Sequence, residues 1–190
     1  MYYAESTGGF YSTALHGDNI PADAVEITQE EYASLLDDQS RGLIIRADQS
    51  GKPVAVHPSP PTTAEIWERI KAKRDAIKAG GVKVGTKWYH TDTESRIQHL
   101  GLLEKARAAR AAGGTDATRL QALGQDIKWK TMDGSFIYLT VKHAEDIFAA
   151  VTDLDAAAFA AAETHRVAME ASADPAAYDF SVGWPATFAG

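Results

Sequence analysis

The sequence predicts an α+β protein with a small N-terminal sheet-plus-helix domain, a Pro-rich linker, and then helices with short β-hairpins and a long C-terminal helix. Three observations predict it. The run His57-Pro58-Ser59-Pro60-Pro61-Thr62-Thr63 carries three prolines, which remove N–H donors and favour polyproline II, so neither sheet nor helix passes through it. On both sides of it, short β-branched and aromatic runs alternate with glycine-bearing turns. From Thr140 onward, apolar residues recur at helical spacing until Pro175. The expected domains are residues 1–57, a linker over 58–63 and a C-terminal domain over 64–190.

Met1 to Ala4 and Phe10 to Thr13 flank Ser6-Thr7-Gly8-Gly9 and read as a small hairpin. Val25-Glu26-Ile27 alternates like a strand. Thr28 with Glu31 is a capping box opening a helix through Tyr32, Leu35 and Leu36, which Gly42 stops. Leu43 to Ala47 and Lys52 to Val56, joined by Asp48-Gln49-Ser50-Gly51, form a second hairpin.

After the linker, Thr62 or Thr63 caps a helix with an Ile66, Trp67, Ile70 and Ile77 face, ended by Gly80-Gly81. Val82 to Val84 and Lys87 to His90 form a hairpin around Gly85-Thr86. Thr91 and Glu94 form the next capping box, for a helix carrying Ile97, Leu100 and Leu103 and broken by Gly113-Gly114. Ile127 to Thr131 and Ser135 to Leu139 form a third hairpin around Met132-Asp133-Gly134. The last helix has Val141, Ala144, Phe148, Val151, Ala158, Ala162, His165 and Met169 on one stripe. Asp155 falls on that stripe, and Thr152 three residues before it predicts a kink.

Composition narrows the function classes. The chain has no cysteine, hence no disulfide, thiolate metal site or thiol nucleophile. No apolar run long enough to cross a membrane and no leader pattern is read, so the expectation is a cytoplasmic protein with no membrane partner. Residues 1–61 hold three Lys and Arg against nine Asp and Glu, while the rest of the chain holds 16 against 17. An acidic chain with no basic stripe is poorly suited to neutralise phosphates, so no nucleic-acid partner is expected. Glu65 to Lys87 is basic and residues 140–190 are acidic, so these helical segments are expected to attract each other within the chain or between chains.

No catalytic, cofactor or metal constellation is legible, and the expectation is a protein that is not an enzyme. His16, His57, His90, His99, His143 and His165 are scattered without helical zinc spacing. His143, Glu145 and Asp146 read as helix-start chemistry. Asp153 and Asp155, too close in sequence to share a helix face, read as solvated rather than as a carboxylate pair. The glycine pairs lack the lysine and serine of a phosphate loop. The aromatics Tyr2, Tyr3, Phe10 and Tyr11 crowd a small domain with few aliphatic residues, and alternation turns one of each pair outward.

The run Asp23-Ala24-Val25-Glu26-Ile27-Thr28-Gln29-Glu30-Glu31-Tyr32, then Leu35-Leu36, the Leu43 to Val56 hairpin and the Pro58-Ser59-Pro60-Pro61 linker resemble the bacteriophage tail fibre assembly proteins. The remainder, with Trp88-Tyr89, Asp92, Trp129-Lys130-Thr131, Phe136, the Ala-rich helix and the Tyr178-Asp179 to Gly183-Trp184-Pro185 tail, resembles a domain of unknown function often appended to them. The resemblance implies a chaperone that binds the distal, C-terminal region of a tail fibre polypeptide and assists its folding and trimerisation in the cytoplasm of a bacterial host, in some cases staying on the virion fibre. Within it, Tyr2, Tyr3, Phe10, Tyr11, Val54 and Val56 are the expected partner-binding residues, because unassembled fibre tips expose strand edges and apolar faces. An alternative is a structural fibre-tip component that touches the host surface with the same aromatics.

Overall fold

A computed structural model describes residues 1–189; Gly190, the last residue of the expected C-terminal domain, lies outside them. The chain divides into two compact units, Met1–Pro60 and Pro61–Gly190, and the architecture is α+β.

In the first unit, β1 (Tyr2–Ala4) pairs antiparallel with β2 (Gly9–Tyr11) and with β3 (Val25–Glu26), giving the order β2-β1-β3. The chain after β2 turns at once into a short helix, α1 (Thr13–His16), so Ser12 and Thr13 do not extend the strand as expected. Thr28 caps α2 (Gln29–Ser40) with the reciprocal Glu31 contact of a capping box. The second hairpin is β4 (Ile44–Ala47) with β5 (Pro53–Val56). Its turn is fastened by the Asp48 carboxylate, which accepts from the Ser50 amide (2.8 Å), the Ser50 hydroxyl (2.7 Å) and the Lys52 amide (3.0 Å). The core of this unit is Tyr3, Ala4, Ile27 and Leu35. Leu36, expected on the same face, is exposed instead, because it follows Leu35 by 100° around the helix.

The second unit is built on α5 (Val141–Glu170), a single helix of 30 residues, about 45 Å long. The kink expected near Thr152 is absent: the Thr152 hydroxyl donates to the Phe148 carbonyl one turn back and leaves the helix continuous. Against α5 pack α3 (Thr63–Ala79) and α4 (Thr93–Ala111), with the hairpin of β6 (Val82–Val84) and β7 (Lys87–Tyr89) beside them. A small hairpin that the sequence reading missed, β8 (Gln121–Ala122) with β9 (Gln125–Asp126), precedes the expected one of β10 (Lys128–Lys130) with β11 (Phe136–Tyr138).

Thr62, not Thr63, caps α3, and its Ile66, Ile70 and Ile77 face is buried against α5: Ile66 and Ile70 join Ala162 and Met169 in one cluster, and Ile77 joins the main core. Alanines at 158 and 162, almost fully buried, let the neighbouring backbones approach closely. Asp155 is not simply solvated. It accepts from Arg96 at 2.8 Å and lies 3.8 Å from Lys78, and Arg96 also donates to the Thr91 and Lys78 carbonyls. One carboxylate on the apolar stripe of α5 therefore ties both α3 and α4 to it.

The cap of α4 is Asp92, which accepts from the Ser95 amide and hydroxyl, so the expected Thr91 and Glu94 box does not form. Thr91 is buried and used elsewhere: its hydroxyl accepts from the Gly81 amide at 2.9 Å. Gly81 has φ of +91°, and a Cβ there would overlap the Met132 sulfur at 2.4 Å, so only glycine fits this crossing of two hairpins. The buried side of α4 is His99, Leu102, Leu103 and Ala106, while Ile97 and Leu100, expected in the core, face solvent.

His99 is almost fully buried against Trp129, with ring centroids 5.1 Å apart. Its Nε2 donates to the His90 carbonyl (2.9 Å), whereas Nδ1 has no partner. Burial lowers its pKa below the ordinary value of 6.5. The unfolded chain then takes up a proton at a higher pH than the folded one. The stability linked to His99 is complete above about 6.5 and is lost as pH falls below it. In thermal melts from neutral to mildly acidic pH, the His99→Gln variant, which keeps a donor at the Nε2 position and cannot titrate, is expected to lose less Tm than the native chain; equal losses would contradict this assignment.

The C-terminal segment after α5 folds back onto the second unit. His165 stacks on Trp184 at 5.0 Å, its Nε2 donates to the Val182 carbonyl (2.9 Å), and its Nδ1 lies 2.9 Å from the Tyr178 hydroxyl. Farther on, the Phe188 amide donates to the Gly80 carbonyl. The tail read as irregular is thus held in place by specific contacts.

Candidate protein-binding surface

The expected contact residues lie on the two sheets of the first unit. Strand pairing opposes Tyr2 to Tyr11 and to Glu26, so these three share one face of β2-β1-β3. Tyr3, Phe10 and Val25 share the other. Tyr3 is 2% exposed and is corrected from a contact residue to a core residue. Its ring meets Phe10 at 5.4 Å, and Phe10 meets Tyr32 of α2 edge-on at 4.9 Å, so this aromatic row fastens the sheet to the helix. Burial raises the pKa of the Tyr3 hydroxyl. Phe10, half-buried within the row, is chiefly a packing residue as well.

Tyr2 and Tyr11 are half-buried on the opposite face. The Tyr11 ring sits edge-on to His16 at 5.0 Å, and its hydroxyl donates to Thr7 Oγ1 at 2.9 Å. Both contacts fix the ring in one orientation, which leaves it little rotamer freedom to lose on being covered. The loop beneath is braced by Asp23, whose carboxylate accepts from the Ser6 amide and hydroxyl, each at 2.8 Å, and is held below the usual carboxylate range by those bonds.

On β4-β5, residues Val54 and Val56 project from the face opposite Pro53 and Ala55, and they are 37% and 36% exposed. Their cross-strand partners are Arg46 and Ile44, which the sequence reading left out because the register of the hairpin, not alternation within either strand, places them there. The outer face is therefore Ile44, Arg46, Val54 and Val56: three β-branched apolar side chains and one cation. The inner face is covered by α2, beside a groove of about 190 Å³ lined by Ile27, Glu31, Ser34, Leu35, Lys52 and Pro53. As a two-stranded sheet, β4-β5 also presents two strand edges.

Among the described residues, no group of three His, Cys, Asp or Glu is placed to hold a metal ion, and no helix is long and apolar enough to cross a membrane. What the first unit offers is preformed apolar and aromatic sheet surface.

Comparison with known proteins places the second unit. Residues 61–182 match the model of a domain of unknown function, DUF4376, and the chain belongs to that family. The chain is also 39% identical over 83 residues to a protein of Shigella phage SfV named a probable tail fiber assembly protein; the match covers 44% of this chain and 50% of that relative, so the chain spans about half the length of the curated relative it matches. No solved structure matches the chain.

Proposed function

We propose that this protein assists the assembly of a phage tail fibre by binding the fibre polypeptide through its first unit. The observation that carries the reading is the 39% identity to the probable tail fiber assembly protein of Shigella phage SfV. The surface is consistent with such a role: a two-stranded sheet with an uncovered β-branched face and free edges can extend a strand of an unassembled fibre and cover its apolar side chains until chains associate. The free energy comes from that burial, at roughly 25 cal/mol per Å² of apolar area, and the proposed action is binding without catalysis. The distal region of the fibre is the proposed target and the bacterial cytoplasm the proposed place of action.

The test uses purified chain and a tail fibre polypeptide from the same genome. Val54→Glu with Val56→Glu keeps the hairpin, since both side chains project outward, and puts two carboxylates on the contact face. The double variant is expected to weaken fibre capture by at least tenfold with an unchanged circular dichroism spectrum. Full capture by this variant would remove the β4-β5 face from the site.

A further inference from the structure

The two edges of the β4-β5 hairpin are not equivalent. Pro53, which has no N–H, is paired with Ala47, and in an antiparallel ladder a proline leaves no bond unmade only in a pair whose backbone groups point away from the partner strand. The next position agrees, since the Asp48 amide donates inward to the Lys52 carbonyl at 2.8 Å. Alternation fixes the rest. Arg46 with Val54 and Ile44 with Val56 close the hairpin, whereas Ile45 and Ala47 turn their backbone groups to the outer edge of β4, and Pro53 and Ala55 turn theirs to the outer edge of β5.

The β5 edge is blunted, because Pro53 withholds a donor at one end and Pro58 follows the strand at the other. The β4 edge keeps its donors and acceptors. Among the described residues, the amides and carbonyls of Ile45 and Ala47 bond to nothing in the chain.

Between these two residues stands Arg46, exposed on the outer face. Residues 1–61 hold nine Asp and Glu against three Lys and Arg. Arg41 pairs with Asp37 and Asp38, yet Arg46 has no carboxylate partner among the described residues. A second copy does not supply one. Laying β4 antiparallel on its own equivalent, with Ile45 bonded to Ala47 in both directions, sets Arg46 against Arg46, and like charges directly opposed repel. The complement of this edge is a strand with a carboxylate at that position.

We propose that the fibre segment enters as a strand on the edge of β4 rather than β5, hydrogen-bonded to Ile45 and Ala47, with an Asp or Glu opposite Arg46 and an apolar residue beside Ile44. This inference rests on the fibre-binding reading and adds to it the edge used and the chemistry of the segment.

Two proline variants test the edge. Ala47→Pro removes an outward N–H from β4 and Ala55→Pro the matching one from β5, so neither breaks a bond within the hairpin. With a tail fibre polypeptide from the same genome, Ala47→Pro is expected to weaken capture about tenfold, through a lost bond and a ring in the path of the incoming strand. Ala55→Pro is expected to weaken it less than about twofold, with unchanged circular dichroism spectra for both. Arg46→Glu needs no backbone change and decides should Ala47→Pro fail to fold. On an array of overlapping fibre peptides, the native chain is expected to retain apolar segments with a central Asp or Glu, and Arg46→Glu to shift about two- to fivefold toward segments with a central Lys or Arg. Native capture by a folded Ala47→Pro, a greater loss in Ala55→Pro, or an unshifted Arg46→Glu profile would each overturn the inference, with the Val54→Glu and Val56→Glu double variant still deciding the fibre reading. A native chain that captures no fibre would overturn both.

Discussion

Tyr3→Ala is expected to unfold the first unit while the second keeps its core. The Tyr3 ring is 2% exposed and is the largest fully buried side chain of that unit, and only Ala4, Ile27 and Leu35 are buried with it. Removing a buried aromatic ring costs about 3–5 kcal/mol, through lost transfer free energy and the cavity left behind. A unit of this size has about 3–9 kcal/mol of stability at the usual 0.05–0.15 kcal/mol per residue, so the loss consumes most of it. The aromatic row also breaks, because Phe10 loses its partner at 5.4 Å and Tyr32 is left to hold the sheet alone. Amide hydrogen exchange followed by peptide should show residues 1–60 losing protection while the clusters around Ile70, Tyr89 and Leu139 keep theirs. A melting profile unchanged from the native chain would contradict the placement of Tyr3.

Ile70→Ala is expected to have the next largest effect, a loss of about 2–5 kcal/mol in the second unit. Ile70 is fully buried and packs with Ile66, Ala162 and Met169 where α3 meets α5. The alanines on α5 that permit this close approach also prevent collapse around the gap, because they have no longer side chain to move into it, which places the cost toward the upper end of the range. Chemical denaturation with an unchanged m-value and a lowered midpoint is the expected signature. A loss below about 1 kcal/mol would mean that the helices reseat.

These expectations rest on features that differ in how far the sequence reveals them. Local chemistry was legible: the Thr28 and Glu31 capping box, a threonine cap before α3 at Thr62 or Thr63, and the glycines ending α2 and α3 are decided by neighbours within a few residues. Side-chain alternation foretold that one tyrosine of the Tyr2-Tyr3 pair turns inward, but which one depends on strand pairing with β3 and on the position of Tyr32, both set by tertiary structure. On α4 two stripes compete at helical spacing. The aliphatic one through Ile97 and Leu100 is the more obvious in sequence, yet the buried one runs through His99 and Ala106, because Trp129 offers a flat ring to His99 and α5 needs the small Ala106. The cap of α4 was misplaced by one residue for a similar reason: Thr91 and Asp92 are both good caps, and Thr91 is taken by the Gly81 amide, ten residues earlier in the chain. Asp155 looked out of place on an apolar stripe only because its partners, Arg96 and Lys78, lie on two other helices.

In the candidate site, Val54 and Val56 followed from alternation alone, whereas Ile44 and Arg46 needed the register of the hairpin. What the structure gives is an exposed apolar hairpin face; the tail fibre enters the proposal through the Shigella phage relative. The most direct test of the central claim is therefore the yield of soluble trimeric fibre when a tail fibre gene from the same genome is expressed with and without this chain. The account predicts soluble trimer, or a stable complex of the two proteins by size exclusion with light scattering, only on co-expression. Equal amounts of soluble trimer without the chain, and no complex with it, would contradict the account.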